Sequence, residues 1–164
     1  MGKVILICGK IGSGKTTYAN KLAKQLNAVI ITQDELIYGL FGTELYYNDR
    51  EQYYKYATWI VEYVKRKAGE AAKAGAVVIC DNGFTPRTER DELRKYYANM
   101  GVACELHYID TPEEQRLINI KKRNDAILRK ECYETFMQEK DIHHDFDIPS
   151  EDEITVVVKF DYAR

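Results

Sequence analysis

The sequence predicts an α/β fold in which a parallel β-sheet is covered by helices on both faces. Three observations predict it. Short runs rich in Val and Ile recur along the chain, stretches with a helical spacing of apolar residues separate them, and the first run leads directly into a glycine-rich turn. Five runs are candidate strands: 3–8, 28–32, 76–80, 102–109 and 154–160.

The helices between these strands are predicted by the same patterns. One helix follows the glycine-rich turn, and the longest is expected over 51–74, where apolar residues form a single stripe. Another covers 87–100 and ends before Gly101, because glycine commonly terminates helices. The next starts after Thr111-Pro112, since proline suits a first helical turn.

Length and composition predict one domain that spans residues 1–164. With 24 Lys and Arg against 26 Asp and Glu, the formal net charge is −2, so no basic excess predicts a long nucleic-acid-binding surface. No apolar run approaches the length of a membrane span. The four cysteines form no C-x-x-C pair, and we expect them to be reduced packing residues of a cytoplasmic protein.

The stretch GKIGSGKT, residues 9–16, predicts a phosphate-binding loop. It matches the pattern G-x-x-x-x-G-K-[ST], with Gly9, Gly14, Lys15 and Thr16 at the defined positions. Glycines let the backbone N–H groups point inward as an anion-binding nest, and the following helix adds a partial positive charge. Lys15 can reach nucleotide phosphates, and the Thr16 hydroxyl can ligate Mg²⁺. A plain glycine-rich turn is the alternative, but the strand–turn–helix context favours the nucleotide site.

Acidic residues follow two strands at the sheet edge where ligands of such folds bind. Asp81 is expected to hold Mg²⁺ with Thr16, directly or through water; capping of the next turn is the alternative. Asp34 is expected to orient an acceptor hydroxyl and accept its proton; the alternative is that it only begins a helix. Asn82 stands where related motors and hydrolases commonly carry a glutamate that activates water, which favours transfer over hydrolysis.

Arginines are also expected at this edge. Arg116 and Arg123 lie seven residues apart, on one face of a helix, and we interpret their segment as a lid. Arg116 is expected to contact the nucleotide and Arg123 to stabilise the transferred phosphoryl group. Arg87 and Arg90 are candidate substrate-binding residues. A solvated charged helix is the alternative for the lid.

Seven tyrosines and the only tryptophan occur within residues 38–63. Aromatic faces can stack on a base, a sugar or an aromatic acceptor, but more often they pack helices together. We expect packing for most of them. Tyr38, Tyr46 and Tyr47 are the candidates for contact with a substrate.

Five motifs resemble those of a known family: GKIGSGKTT, QDELIYGLFG, VVICDNGFTPRTERDEL, DTPEEQR…KKRN and FDIPSEDE. The family is that of the small P-loop kinases, with an AAA-type ATP-binding domain, grouped with polynucleotide 5′-hydroxyl kinases, zeta-toxin-type kinases and chloramphenicol phosphotransferase. The resemblance covers nearly the whole chain and implies a P-loop NTPase three-layer sandwich with sheet order 2-3-1-4-5 and a helical lid.

The same resemblance implies ATP and Mg²⁺ as cofactors and transfer of a phosphoryl group to a hydroxyl. It implies a base role for Asp34 and lid roles for Arg116 and Arg123. Two positions depart from the family pattern: Ile37 replaces an arginine usual in polynucleotide kinases of this type, and Ile127 breaks a common lid spacing. The residues expected to bind nucleotide are Gly9, Ile11, Gly12, Ser13, Gly14, Lys15, Thr16, Thr17 and Arg116.

The sequence therefore predicts an ATP-dependent phosphotransferase for a small-molecule hydroxyl, with Lys15, Asp34 and Arg123 catalytic. A polynucleotide 5′-hydroxyl kinase is one alternative; the mild net charge and Ile37 argue against it. A nucleotide-binding switch or ATPase that acts on partner proteins is the other, and Asn82 and the lid argue against it.

Overall fold

A computed structural model describes residues 2–129, 137, 142–143 and 145–161. Five strands and six helices lie along these residues, with three helices in succession between the second and third strands. In chain order they are β1 (Lys3–Cys8), α1 (Lys15–Leu26), β2 (Val29–Ile31), α2 (Gln33–Phe41), α3 (Leu45–Asn48), α4 (Arg50–Lys73), β3 (Val77–Gly83), α5 (Arg87–Asn99), β4 (Ala103–Ile109), α6 (Glu113–Leu128) and β5 (Val156–Val158).

The five strands form one parallel sheet in the order β2-β3-β1-β4-β5. This confirms the predicted α/β fold class and strand order. Strand β1 is central, and its residues Val4 to Cys8 are fully buried. A strand covered on both faces must be apolar throughout, which explains the continuous run VILIC.

Side chains of β1 alternate between two cores, one on each face of the sheet. Val4, Leu6 and Cys8 pack with residues of α4 and α5, whereas Ile5 and Ile7 pack with α1. Helices therefore cover both faces, and all five strands point their carboxyl ends toward the same edge. The glycine-rich loop lies at that edge, between β1 and α1.

The observed boundaries of two strands differ clearly from the predicted ones. The last strand is β5, Val156–Val158, and it is shorter than the predicted 154–160. Thr155 precedes it and bonds with Leu106 through both its backbone and its side chain. The third strand extends to Gly83, beyond the predicted end at residue 80, so Asp81 and Asn82 lie within the sheet. None of the helices that the structure describes is long and apolar enough to cross a membrane.

Three cysteines, Cys8, Cys80 and Cys104, carry free thiols and pack within the sheet, as expected for packing residues. Burial raises the thiol pKa of each to about 12. The fourth, Cys132, lies outside the described residues. Because thiolate is the reactive form, these three thiols have very little of it near neutral pH.

We predict that Cys8, Cys80 and Cys104 resist alkylation by iodoacetamide at pH 8 in the folded protein. Peptide mass spectrometry after timed labelling measures this at each position. The same protein in denaturant is the control, in which all three thiols should react. Rapid labelling of any of them in the folded state would contradict the burial described here.

Candidate active site

The loop that joins β1 to α1 is shaped by glycines with left-handed backbone angles. Gly12 has φ 77° and Gly14, at the start of α1, has φ 92°. A Cβ atom at position 12 would lie 2.6 Å from the carbonyl oxygen of Arg116 and 2.7 Å from Cγ1 of Ile120. Only glycine fits there, because the backbone conformation and the contact with α6 both exclude a side chain.

Three successive carbonyl groups of this loop are held by side chains outside it. Arg116 Nη1 donates to the Ile11 oxygen at 2.8 Å, and Asn119 Nδ2 donates to the Gly12 oxygen at 2.8 Å. Thr111 Oγ1 donates to the Ser13 oxygen, also at 2.8 Å. With their carbonyl groups bound on the outside, these peptide units can direct N–H groups toward the interior of the loop, which is the arrangement an anion requires.

Lys15 lies across the concave side of the loop. Its Nζ donates to the carbonyl oxygens of Gly9 at 2.9 Å and Lys10 at 3.2 Å. Burial lowers the pKa of Lys15; Asp81 and Asp34 oppose this effect, and the charge of Arg123 adds to it. The charges of Asp81, Asp34 and Arg123 therefore all act on the Lys15 ammonium.

Thr16 and Asp81 are in direct contact. Thr16 Oγ1 donates to Asp81 Oδ2 at 2.8 Å, which joins the first turn of α1 to the end of β3. Burial raises the pKa of Asp81, while the bond from Thr16 and the charge of Lys15 act in the opposite direction. A hydroxyl beside a buried carboxylate is an oxygen donor set that suits Mg²⁺.

The Ser13 side chain also bears on whether the loop fits a nucleotide. Its side chain is 1% exposed, and no described residue makes a hydrogen bond to its Oγ. The hydroxyl lies inside the loop, 2.7 Å from where a Cβ atom of Gly9 would be. The glycine cradle, the lysine, the buried hydroxyl and the Thr16–Asp81 pair thus fit a nucleotide phosphate with its metal. Ile11 and Thr17, also expected to bind nucleotide, lie within the loop and in the first turn of α1.

Asp34 lies in the first turn of α2, with hydrogen bonds on both sides of it. Thr32 Oγ1 accepts from the backbone N–H of Glu35 at 3.1 Å, and Asn82 Oδ1 accepts from that of Gln33 at 2.9 Å. Asp34 is exposed, and its charge acts on Lys15. Burial raises the pKa of Tyr53 on α4, and the charge of Asp34 raises it further.

Tyr38 follows one helical turn after Asp34 and is half-buried. Its electrostatic effect reaches the same Tyr53 hydroxyl. The structure therefore brings Asp34, Tyr38 and Tyr53 together where α2 packs on α4.

The two arginines of α6 differ in their positions. Arg116 is 4% exposed and holds the outer side of the loop through Ile11, so its described contact is with the protein backbone. Arg123 is half-buried, two turns further along α6, and its charge lowers the pKa of Lys15. Arg123 is therefore the arginine of α6 whose charge acts on Lys15.

Arg87 and Arg90, expected to bind substrate, have other partners in the structure. The Arg90 guanidinium is fully buried; its Nε donates to Glu153 Oε1 at 2.8 Å and its Nη1 to the carbonyl oxygens of Phe84 and Thr85. Arg87 bonds to Asp152 at 2.7 Å and to Asp91 at 3.3 Å. These contacts tie α5 to the segment before β5, so we leave both arginines out of the proposed substrate site.

Sequence reasoning did not identify Thr111 and Asn119 as members of the site. The Thr111 side chain binds a carbonyl group 98 residues away in the sequence, and the Asn119 side chain binds one 107 residues away. Thr111 follows β4 at the ligand edge of the sheet, so its position was a usable signal. Asn119 offered none, because an asparagine in a helix has no characteristic spacing from a distant loop.

A cavity of about 150 Å³ lies beside the loop at the end of β4. Charged and polar residues dominate its wall, including Lys10, Asp110, Thr111 and Arg116. This space adjoins the loop on the side held by α6, so it offers room for a polar group next to the phosphate site.

Fold and loop together define a P-loop nucleotide-binding protein. Residues 4–136 match the family model described as an AAA domain, and the chain belongs to this family. No curated protein matches the sequence.

Solved structures of P-loop kinases share the fold. The APS kinase CysC of Mycobacterium tuberculosis, in complex with AMPPNP and APS, has a TM-score of 0.68 and 20% identity, over 96% of this chain and 88% of that one. A gluconokinase from Sinorhizobium meliloti has a TM-score of 0.64 and 16% identity, over 96% and 82%. A chain of the Pnkp1/Rnl/Hen1 RNA repair complex has a TM-score of 0.68 and 20% identity, over 86% and 41%.

We predict that Arg90→Ala destabilises the protein by about 3–5 kcal/mol, because it removes the buried guanidinium that pairs with the Glu153 carboxylate and leaves the longer contact with Arg87 at 3.7 Å. The melting temperature should fall by roughly 6 °C or more for a domain of this size. Arg66→Ala is the control: it breaks an exposed pair with Glu70 and should cost less than about 1 kcal/mol. Equal melting temperatures for the two variants would contradict a structural role for Arg90.

Proposed function

We propose that this protein is an ATP- and Mg²⁺-dependent phosphotransferase that transfers the γ-phosphoryl group to a hydroxyl of a small molecule. One observation carries the proposal: in the glycine loop that holds Lys15, Thr16 Oγ1 donates to the buried Asp81 carboxylate at 2.8 Å. The charges of Asp81, Asp34 and Arg123 also act on Lys15. A metal-holding carboxylate, a candidate base and an arginine beside one phosphate loop are the parts that phosphoryl transfer requires. We place this activity in the cytoplasm, where ATP is available and cysteines stay reduced.

Each residue has a role in this proposal. The loop N–H groups and Lys15 bind and orient the phosphates, and Thr16 with Asp81 holds the metal, which supplies charge neutralisation at the phosphate oxygens. Arg123 stabilises the charge that develops on the transferred group. Asp34 orients the acceptor hydroxyl and accepts its proton, which activates the oxygen for attack.

Transfer rather than hydrolysis is supported by the residue after Asp81. Asn82 has an amide in place of a carboxylate, and its oxygen accepts a hydrogen bond from the Gln33 backbone. It therefore supplies no base for a water molecule. The residue that follows Gln33 on α2 is Asp34, whose carboxylate is exposed.

A polynucleotide 5′ end is the second candidate acceptor. Trp59 and Tyr63 of α4 are 60% and 50% exposed, and Lys55 lies over the Trp59 ring. Exposed aromatic faces next to cations suit stacking with nucleic-acid bases. One of the structures with a similar fold also belongs to an RNA repair complex.

We predict that Lys15→Ala lowers turnover about a hundredfold or more, because it removes a fixed positive charge at the transferred phosphate. Lys24→Ala, an exposed lysine in the last turn of the same helix, is the control and should keep its activity. ATP consumption with the best acceptor measures both. Near-native turnover of Lys15→Ala would mean that this loop is not the working phosphate site.

The experiment that tests the proposal starts with an acceptor screen. ATP consumption is measured with wild-type protein against pooled hydroxyl-bearing metabolites and, separately, against 5′-hydroxyl oligonucleotides. Phosphorylation of a metabolite supports the proposed function, and phosphorylation of the oligonucleotides alone supports the second candidate. ATP hydrolysis that no acceptor stimulates supports a switch or ATPase.

We predict that Asp34→Asn lowers acceptor-dependent turnover by roughly 10²–10⁴, the usual contribution of a general base. ATP affinity should change little, since the loop and Lys15 are untouched. Glu35→Gln is the matched control, because Glu35 is the adjacent exposed carboxylate on the same helix. If both variants transfer phosphate at the wild-type rate, Asp34 is not the base.

A further inference from the structure

Asn82 continues the contact between β2 and β3 beyond the end of their backbone pairing. The last paired residues of these strands are Ile31 and Cys80. Gln33 and Asn82 each lie two residues further along, and here the Asn82 side chain accepts the Gln33 backbone N–H at 2.9 Å. A side-chain oxygen thus replaces the strand-to-strand bond at the point where β2 turns into α2.

This bond has a particular value at the start of a helix. Gln33 is the first residue of α2, and the first N–H groups of a helix have no acceptor within the helix. Thr32 satisfies the N–H of Glu35, and Asn82 satisfies that of Gln33. The two bonded N–H groups flank Asp34 directly, so they fix the backbone from which the Asp34 side chain extends.

The same end of β3 also holds the phosphate loop. Asp81 accepts from Thr16 in the first turn of α1, whereas Asn82, the next residue, accepts from α2. Successive residues of a strand point to opposite sides. Two neighbouring side chains of β3 therefore fix both α1, which begins at Lys15, and α2, which carries Asp34, relative to one strand.

We propose that Asn82 is a positioning residue that sets the distance between the Asp34 carboxylate and the phosphate loop by holding the Gln33 N–H. This inference rests on the proposed function, in which Asp34 acts on the acceptor hydroxyl. Asn82 itself touches no reacting atom. It matters because phosphoryl transfer depends on placing the acceptor oxygen in line with the phosphate, and small displacements of a positioning group are costly.

The bond can be removed from either side. Asn82→Leu removes the acceptor at similar side-chain size. Gln33→Pro removes the donor, and proline suits the first position of a helix. The preceding residue, Thr32, already has the extended backbone (φ −120°, ψ 139°) that a following proline requires. Gln33→Ala is the control, because it keeps the N–H and loses only the side chain.

We predict that Asn82→Leu lowers the kcat of acceptor phosphorylation by about tenfold or more, with a smaller change in ATP affinity. Gln33→Pro should give a loss of similar size, and Gln33→Ala should stay within about twofold of wild type. The double variant Asn82→Leu/Gln33→Pro should be no slower than the slower single variant, since both remove the same bond. Thermal unfolding of each variant checks that it is folded.

Two results would overturn the inference alone: wild-type kcat in Asn82→Leu, or losses that multiply in the double variant. Should Asn82→Leu fail to fold, Gln33→Pro against Gln33→Ala decides the question by itself, and equal kcat values for these two variants overturn the inference. If the wild-type protein phosphorylates no acceptor, the proposed function is overturned. The catalytic role of the bond between Asn82 and Gln33 is then overturned as well. The acceptor screen on wild-type protein therefore separates the two failures.

Discussion

The site depends on one constraint, which is that three successive carbonyl groups of the phosphate loop must find partners outside it. Those of Ile11, Gly12 and Ser13 are bound by side chains of α6 and of the turn before it. Without these bonds the three carbonyl groups would lose the protein partners that they have in the fold. The position of α6 against the loop follows from this, and so does Gly12, since a Cβ atom there would collide with α6.

Charge balance at the loop follows from the same close packing. Burial lowers the pKa of Lys15, and two carboxylates, those of Asp81 and Asp34, act to keep it protonated. The carboxylates are positioned by strand ends, one within β3 and one just after β2. Because parallel strands deliver their carboxyl ends to one edge, the fold itself supplies the countercharges for a partly buried lysine.

The sequence was sufficient for the features that depend on local pattern. The loop over residues 9–16 follows a motif with fixed spacing. The strand order was implied by the family resemblance, and the pairing of Thr16 with Asp81 was expected because both residues lie at the ligand edge; the structure contains all three features. Arg90 shows why other features could not be predicted. It follows a strand at the ligand edge, as a substrate-binding residue would, but its partner Glu153 lies 63 residues further along the chain. Only the packed fold brings these two charges together.

The contacts of the tyrosines on α2–α4 could not be predicted from the sequence either. Under the proposed function, these tyrosines mark the region where the acceptor is selected. Tyr46 contacts the edges of Tyr47 and Tyr53, and the Arg50 guanidinium lies 4.4 Å from its ring centre. Part of the aromatic surface is thus used in contacts between rings, whereas Tyr54, Trp59 and Tyr63 are at least half exposed. Under the proposed function, the groups that contact an acceptor near Asp34 are the hydroxyl groups of the tyrosines on α2–α4. Loop motifs specify how a phosphate is held. Under the same proposal, the hydroxyl that receives the phosphoryl group is selected by the shape of these aromatic helices, which no motif encodes.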